Sequence, residues 1–205
     1  NNDKINTISI VTRHDAHTQQ VIDALNSGKN VFVEKPLALT LAELEEIDRV
    51  YHQANKSDTI RLMVGFNRRY APHVIKMKKL LESHRSPKSI IMTVNAGAIP
   101  GEHWVQNTLI GGGRIIGEGG HFIDLMRHLV GHKITNFQAM MMGNVPGVEV
   151  REDKASITLS FEDGSFGTIH YLANGGSAFP KERIEVFCDN AVLQMDNYRV
   201  LTGYG

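Results

Sequence analysis

The chain of 205 residues carries a single cysteine, Cys188. One thiol closes no internal disulfide and builds no zinc site, which suits a reducing cytoplasm. Charge of one sign is lacking too, with 22 basic residues against 22 acidic ones. That balance gives no basic surface for nucleic acid and no acidic, disordered tail. Long apolar runs are missing: none approaches the roughly 18–20 residues that span a bilayer, so no membrane partner is expected. The first residues, Asn1-Asn2-Asp3-Lys4, include no Met and no signal-peptide pattern. They read as a polar loop running into a strand, as an internal cut would leave it. Apolar residues, at 41%, suffice for a real core.

Fold class follows from the order of patterns. Residues 7–12 read as a buried strand, and Asp15 can cap a helix with Val21, Ile22 and Leu25 on one face, stopped by Gly28. Residues 31–33 make a second strand, ended by Pro36. Thr40 and Glu43 form a capping box for a helix bearing Leu41, Leu44, Ile47 and Val50, and a third strand spans 62–66. Such alternation predicts a parallel sheet covered by helices. A helix over 71–84, with Pro72 in its first turn, is followed by strand candidates at 89–96, 134–142, 148–161, 165–172, 183–188, 191–195 and 198–201. Hairpin turns are read at Glu162-Asp163-Gly164-Ser165 and at Asp189-Asn190, and only a helix over 121–130 interrupts the strands. The prediction is α/β then α+β: residues 1–68 as part of a doubly wound domain, and 69–205 as a large, mostly antiparallel open sheet.

Ligands of open parallel sheets sit at the carboxyl ends of the strands. Three polar clusters fall there: Thr12-Arg13-His14-Asp15-Ala16-His17, Glu34-Lys35-Pro36 and Gly65-Phe66-Asn67-Arg68-Arg69-Tyr70. A solvated strand end explains any one of them; three arriving at one edge suggest a site. The second concentration runs from Gly111-Gly112-Gly113 through Gly117-Glu118-Gly119-Gly120-His121 to Asp124. It matches neither G-x-G-x-x-G nor a P-loop. Read as a glycine-rich loop, it places His121 in a first helical turn, where the dipole disfavours the protonated form, as a general base requires. Asp124, three residues on, is placed to orient that imidazole. The bland alternative is a flexible loop followed by a core histidine.

Taken in order, T-R-H-D-A-H, the run Gly28–Leu37 containing E-K-P, G-F-N-R-R-Y and the G-G-G…H-x-x-D stretch resemble the Gfo/Idh/MocA oxidoreductases. The wording T-R-H-D and the stretch Ile99-Pro100-Gly101-Glu102-His103-Trp104 look most like a subgroup fused behind a zinc alcohol dehydrogenase-like domain. The resemblance implies a Rossmann domain followed by an open sheet that forms subunit interfaces, hence a homo-oligomer. It implies NAD or NADP as cofactor and a small carbohydrate-like substrate: a sugar, cyclitol or nucleotide-sugar. Lys35 would contact nicotinamide and substrate, and His121 would transfer the proton, with Glu118 or Asp124 assisting. Thr12, Arg13, His14, His17, Glu34 and Pro36 would line the cofactor edge. Asn67, Arg68, Trp104, Tyr171 and Asn174 would line the substrate pocket, the last two from a sheet strand.

Two departures stand out. Many members carry an Asp four residues before the histidine, where this chain has Gly117, and Arg13 stands where Pro is common. The strand–G-x-G-x-x-G–helix unit is also absent from these residues, so they are expected to hold a dinucleotide poorly and to be inactive alone. Two rivals remain. Glu118-x-x-His121 has the spacing of a carboxylate–histidine metal pair, though no second pair accompanies it. A non-catalytic assembly or regulatory module of the same fold is the other.

Overall fold

Short β-branched runs alternate with amphipathic stretches in the first third, and in the computed structural model they become strands and helices. Residues 2, 4–144, 146–147 and 152–205 are described. Strands β1 (Thr7–Ile10), β2 (Asn30–Val33) and β3 (Leu62–Val64) pair in parallel in that order. Register sets Ile8 beside Val31, and Val31 beside Leu62. Helices α1 (His17–Asn26) and α2 (Leu41–Ala54) are the crossovers that parallel neighbours require. Ile10, Val21, Leu25, Val31, Val33, Ile47 and Val50 form one buried cluster.

Local chemistry sets most of these boundaries. Thr40 Oγ1 accepts from the Glu43 amide while the Glu43 carboxylate accepts from the amides of Thr40 and Leu39, the capping box expected. Leu41 and Leu44 nonetheless stay exposed, because only the later turns of α2 reach the core. Asp15 does not cap α1. It lies inside a 3-10 turn, His14–Ala16, and α1 begins after Ala16 with no side-chain cap.

Later in the chain come α3 (Pro72–Leu81), β4 (Ser89–Asn95), α4 (Gly120–Val130), β5 (Ile134–Met141), β6 (Lys154–Phe161), β7 (Phe166–Leu172), β8 (Glu182–Cys188), β9 (Ala191–Asp196) and β10 (Val200–Tyr204). The strands make a seven-stranded sheet in the order β10-β9-β8-β4-β7-β6-β5. Every neighbouring pair is antiparallel except β4 with β7, which is parallel. Alternate residues Ile90, Met92, Val94, Ile169, Tyr171, Ile184 and Val186 are buried. Residues 148–151 of the expected strand 148–161 lie outside the described residues. The last strand starts at Val200 rather than 198, since Asn197 and Tyr198 both adopt left-handed backbone (φ 51° and 57°) and turn the chain.

The chain divides into two compact units, Asn1–Phe66 with Gly101–Gly120, and Asn67–Pro100 with His121–Gly205. No helix among the described residues is long and apolar enough to cross a membrane.

Candidate functional site

In the first unit, the turns after β1 and β2 carry the polar clusters. His17 is wholly buried, and its ring nitrogens lie 2.8 Å from the Pro36 carbonyl and 3.1 Å from the Thr12 carbonyl. It fastens the two strand-end turns to each other, a structural task in place of lining an open cofactor edge. Thr12 is exposed and donates through Oγ1 to Gln20. Pro36 follows a cis peptide bond after Lys35 and is buried. The Glu34 carboxylate accepts from the Lys35 amide at 3.3 Å.

Gly111 lies in a turn and Gly112 just after it, but the later part of the glycine-rich stretch is helical rather than a loop. Ile115–Gly119 forms a π-helix that runs straight into α4. His121 therefore stands several residues inside continuous helix, and the expected first-turn dipole effect on its imidazole does not apply. Short π segments recur at functional sites. This one turns the Gly117 carbonyl toward Lys35, whose Nζ donates to it at 3.0 Å across 82 residues of sequence. The E-K-P turn and the glycine-rich segment are thus joined. Glu118 pairs with buried Arg114 at 3.5 Å, one turn earlier.

His14 sits between these elements. Its Nδ1 lies 2.8 Å from the Gly111 carbonyl, and the Trp104 ring meets it edge-on, with centroids 4.7 Å apart. Burial pushes its imidazole below the usual histidine range; the Gly111 hydrogen bond opposes that, and Lys35 and His17 add to it. The exposed Arg13 guanidinium lies 5.6 Å from the centre of the Trp104 ring, a cation beside an aromatic surface.

In the second unit, His121 is buried on α4. Asp124 does not orient it: both carboxylate oxygens accept from the Arg69 guanidinium. Arg68, expected beside a substrate, grips the buried Glu182 carboxylate with Nε (3.0 Å) and Nη2 (2.7 Å), and lies over the Phe122 ring. Burial opposes the Arg68 charge, but the bonds and attraction of Glu182 outweigh it and hold the guanidinium protonated. The Tyr198 hydroxyl completes the cluster at 2.6 Å from Glu182, its phenol pushed far up by burial and by that carboxylate. Asn67 is exposed in the turn Asn67–Tyr70. Tyr171 is fully buried in β7, its ring 6.1 Å from that of Phe122. Asn174 is exposed in the turn after β7 rather than on the strand, which ends at Leu172.

Five partners are not foreseen from the sequence: the Thr12, Pro36, Gly111 and Gly117 carbonyls and Glu182. Backbone carbonyls leave no mark in residue identity, and Glu182 is separated from Arg68 by 114 positions. Among the described residues the one grouping of metal-ligand type is His84, Cys188 and Asp189. It contains neither Glu118 nor His121, and burial and Asp189 push the Cys188 thiol up, away from the thiolate a metal needs.

A family model described as an oxidoreductase family with an NAD-binding Rossmann fold matches residues 1–66, and the GFO/IDH/MocA C-terminal domain matches 74–194. The chain belongs to the Gfo/Idh/MocA oxidoreductases. Relatives in this family include the "uncharacterized oxidoreductase YrbE" of Bacillus subtilis, 29% identical over 203 residues, covering 97% of this chain and 57% of that protein. The myo-inositol 2-dehydrogenase of Thermotoga maritima is 26% identical over 201 residues, covering 97% and 58%. An oxidoreductase domain protein from Kribbella flavida has the same Gfo/Idh/MocA-type fold, with a TM-score of 0.84 at 24% identity, covering 99% of this chain and 59% of that one. The chain thus spans a little under three-fifths of these relatives' lengths.

Proposed function

We propose that the protein is a nicotinamide-dependent dehydrogenase acting on a hydroxyl or keto carbon of a sugar, cyclitol or nucleotide-sugar. The observation that carries this reading is the Lys35–Gly117 hydrogen bond, which fixes an ammonium at the carboxyl end of β2, where a doubly wound sheet presents its ligand. The surrounding residues fit a nicotinamide dinucleotide. Arg13 beside Trp104 offers a cation and a flat face. A Cβ on Gly65 would come within 3.2 Å of Glu34 Oε1 and 3.3 Å of Phe32 Cζ, so the missing side chain at 65 lets the Glu34 carboxylate lie against the end of β3.

When bound, the nicotinamide donates or accepts the hydride. Lys35 has three N–H donors, so holding the Gly117 carbonyl is compatible with holding a substrate oxygen. Its charge favours negative charge developing on that oxygen. His121 is assigned the proton transfer, moving the hydroxyl proton to or from an imidazole nitrogen. Similarity to a myo-inositol 2-dehydrogenase supports the cyclitol or sugar class. The cofactor is NAD or NADP, with the NAD-binding description of the family favouring NAD.

Turnover of the full-length protein with NAD and NADP against a panel of inositols and hexoses tests the reading. Lys35→Met and His121→Ala are each expected to lower kcat by orders of magnitude. Near-normal turnover in either variant removes that residue from the mechanism. A wild-type protein whose addition leaves NADH and NADPH fluorescence unchanged argues for the non-catalytic module instead.

A further inference from the structure

Building on the reading of Lys35 as the catalytic ammonium, we propose that His14 is its positioning residue, acting through the segment from Gly111 to Gly117. Four contacts within the first unit carry this. The His14 ring bonds the Gly111 carbonyl at 2.8 Å, and the neighbouring Asp15 amide donates to the Ile110 carbonyl at 3.1 Å. These fix the start of the glycine-rich segment. At its other end, a Cβ on Gly117 would lie 3.2 Å from His14 Cε1 and 3.6 Å from Nδ1. The imidazole therefore fills the space in which a side chain at 117 would begin. The carbonyl of that same glycine receives Lys35 Nζ at 3.0 Å.

One flat ring thus touches both ends of the segment whose last carbonyl aims the ammonium. Its own orientation is constrained. A carbonyl acceptor requires the proton on Nδ1, which in a neutral ring leaves Nε2 as an acceptor. Trp104 closes one side with centroids at 4.7 Å, and His17 another at 5.8 Å. The start of the segment also packs closely on the backbone of Trp104 and Val105, since a Cβ on Gly111 would sit 2.4 Å from the Val105 Cα. The glycine at 117 follows from the imidazole at 14, and the two positions are coupled.

The coupling has a sign that a merely structural glycine would not show. Alanine is the better helix former, so at 117 it should be neutral or stabilising unless something occupies its place. Gly117→Ala in the otherwise native protein is expected to lower Tm by several degrees. In a His14→Ala background the same change is expected to cost nothing or to raise Tm. Additive effects would overturn the steric half of the proposal.

The positioning half is read at Lys35 itself. Acylation of Lys35 by an N-hydroxysuccinimide ester, quantified by mass spectrometry, is expected to rise severalfold in His14→Leu, which fills the space without a donor. His14→Asn keeps a donor at the Nδ1 position and is expected to stay near the native rate. Equal labelling in all three proteins, with circular dichroism showing them folded, overturns the proposal. Turnover separates the two readings. Because misplacement of a catalytic group by about 1 Å can cost about 100-fold, His14→Leu should lose kcat on that order with KM little changed, and His14→Asn should recover most of it. An active wild type with an equally active His14→Leu sinks the role of His14 and leaves that of Lys35 standing. An inactive wild type sinks the role of Lys35, while the labelling still decides whether His14 places it.

Discussion

Two histidines three positions apart, both buried, show how one residue type serves different ends. His17 lies fully buried with its two ring nitrogens against backbone carbonyls, 2.8 Å from Pro36 and 3.1 Å from Thr12, and its one N–H in the neutral ring donates to one of them. His17→Ala is expected to cost about 1–3 kcal/mol, the usual penalty for stranding a buried polar group, with urea denaturation as the measurement. A loss within error would show that water replaces the imidazole. His14 and His128 are instead held below the usual histidine range, each chiefly by burial, with Lys35 and His17 adding to it at one and Arg69 and Lys78 at the other. A histidine whose folded pKa is lowered binds fewer protons folded than unfolded, so stability rises with pH in that window. The contribution is complete above the unfolded value of about 6.5 and is lost as pH falls from there toward the folded value. Unfolding free energy measured from about pH 7.5 down to about pH 5.5 should decline, and His14→Asn should shallow the decline. The importance of both positions was legible from T-R-H-D-A-H, because histidines at a strand end are conspicuous. Their partners were not legible, since Pro36, Thr12 and Gly111 contribute only carbonyl oxygens.

Elements were legible wherever local chemistry alone decides them. The capping box at Thr40 and Glu43 and the left-handed pair Asp189–Asn190 (φ 49° and 61°), which closes the hairpin of β8 and β9, need no tertiary contact to form. Illegible elements were those fixed by distant partners. The π-helix at Ile115–Gly119 reads as a loop because glycines are poor helix formers, yet the Lys35 bond and the close approach of His14 hold it wound. Tyr198, a bulky residue in left-handed backbone, reads as strand; its hydroxyl is held by Glu182 at 2.6 Å, which offsets a strain of about 1–2 kcal/mol. Gly167, inside the strand read over 165–172, remains fully in the β7 ladder. A Cβ there would lie 2.6 Å from Met126 Sδ and 3.0 Å from Ile90 Cβ, so α4 packs close over this point of the sheet. Gly167→Ala is expected to destabilise by about 1–3 kcal/mol through overpacking. Met126→Ala made together with it should recover part of the loss, a non-additivity visible in a double-mutant cycle by thermal unfolding.

At the scale of the whole molecule, the seven-stranded sheet has two unlike faces. The face that includes Ile90, Met92, Ile169 and Val186 is buried, with Met126 of α4 against it at Gly167. Alternation puts Ile91, Phe166 and Phe187 on the other, where they are 39%, 52% and 40% exposed. Register brings Phe187 and Phe166 to either side of Ser89, with Ile91 two residues along the same strand, so the three form one patch. Around it lie polar side chains bonded to one another: Thr158 with Thr168, Ser156 with His170, and Arg183 through Nη2 with Glu185 and Gln194. An apolar centre ringed by polar groups that are largely paired with one another is the composition of an interface. A second copy of the chain is the partner proposed, since a sheet face can meet its own copy about a two-fold axis and so close the assembly. Sedimentation of the native protein should then give a dimer or a multiple of it. Ile91→Lys, placing an unpaired charge at the centre of the patch, should shift the mass to the monomer while the melting curve of the isolated chain keeps its shape. A native protein that sediments as a monomer, or an Ile91→Lys variant that keeps the native mass, would assign these phenylalanines to solvent.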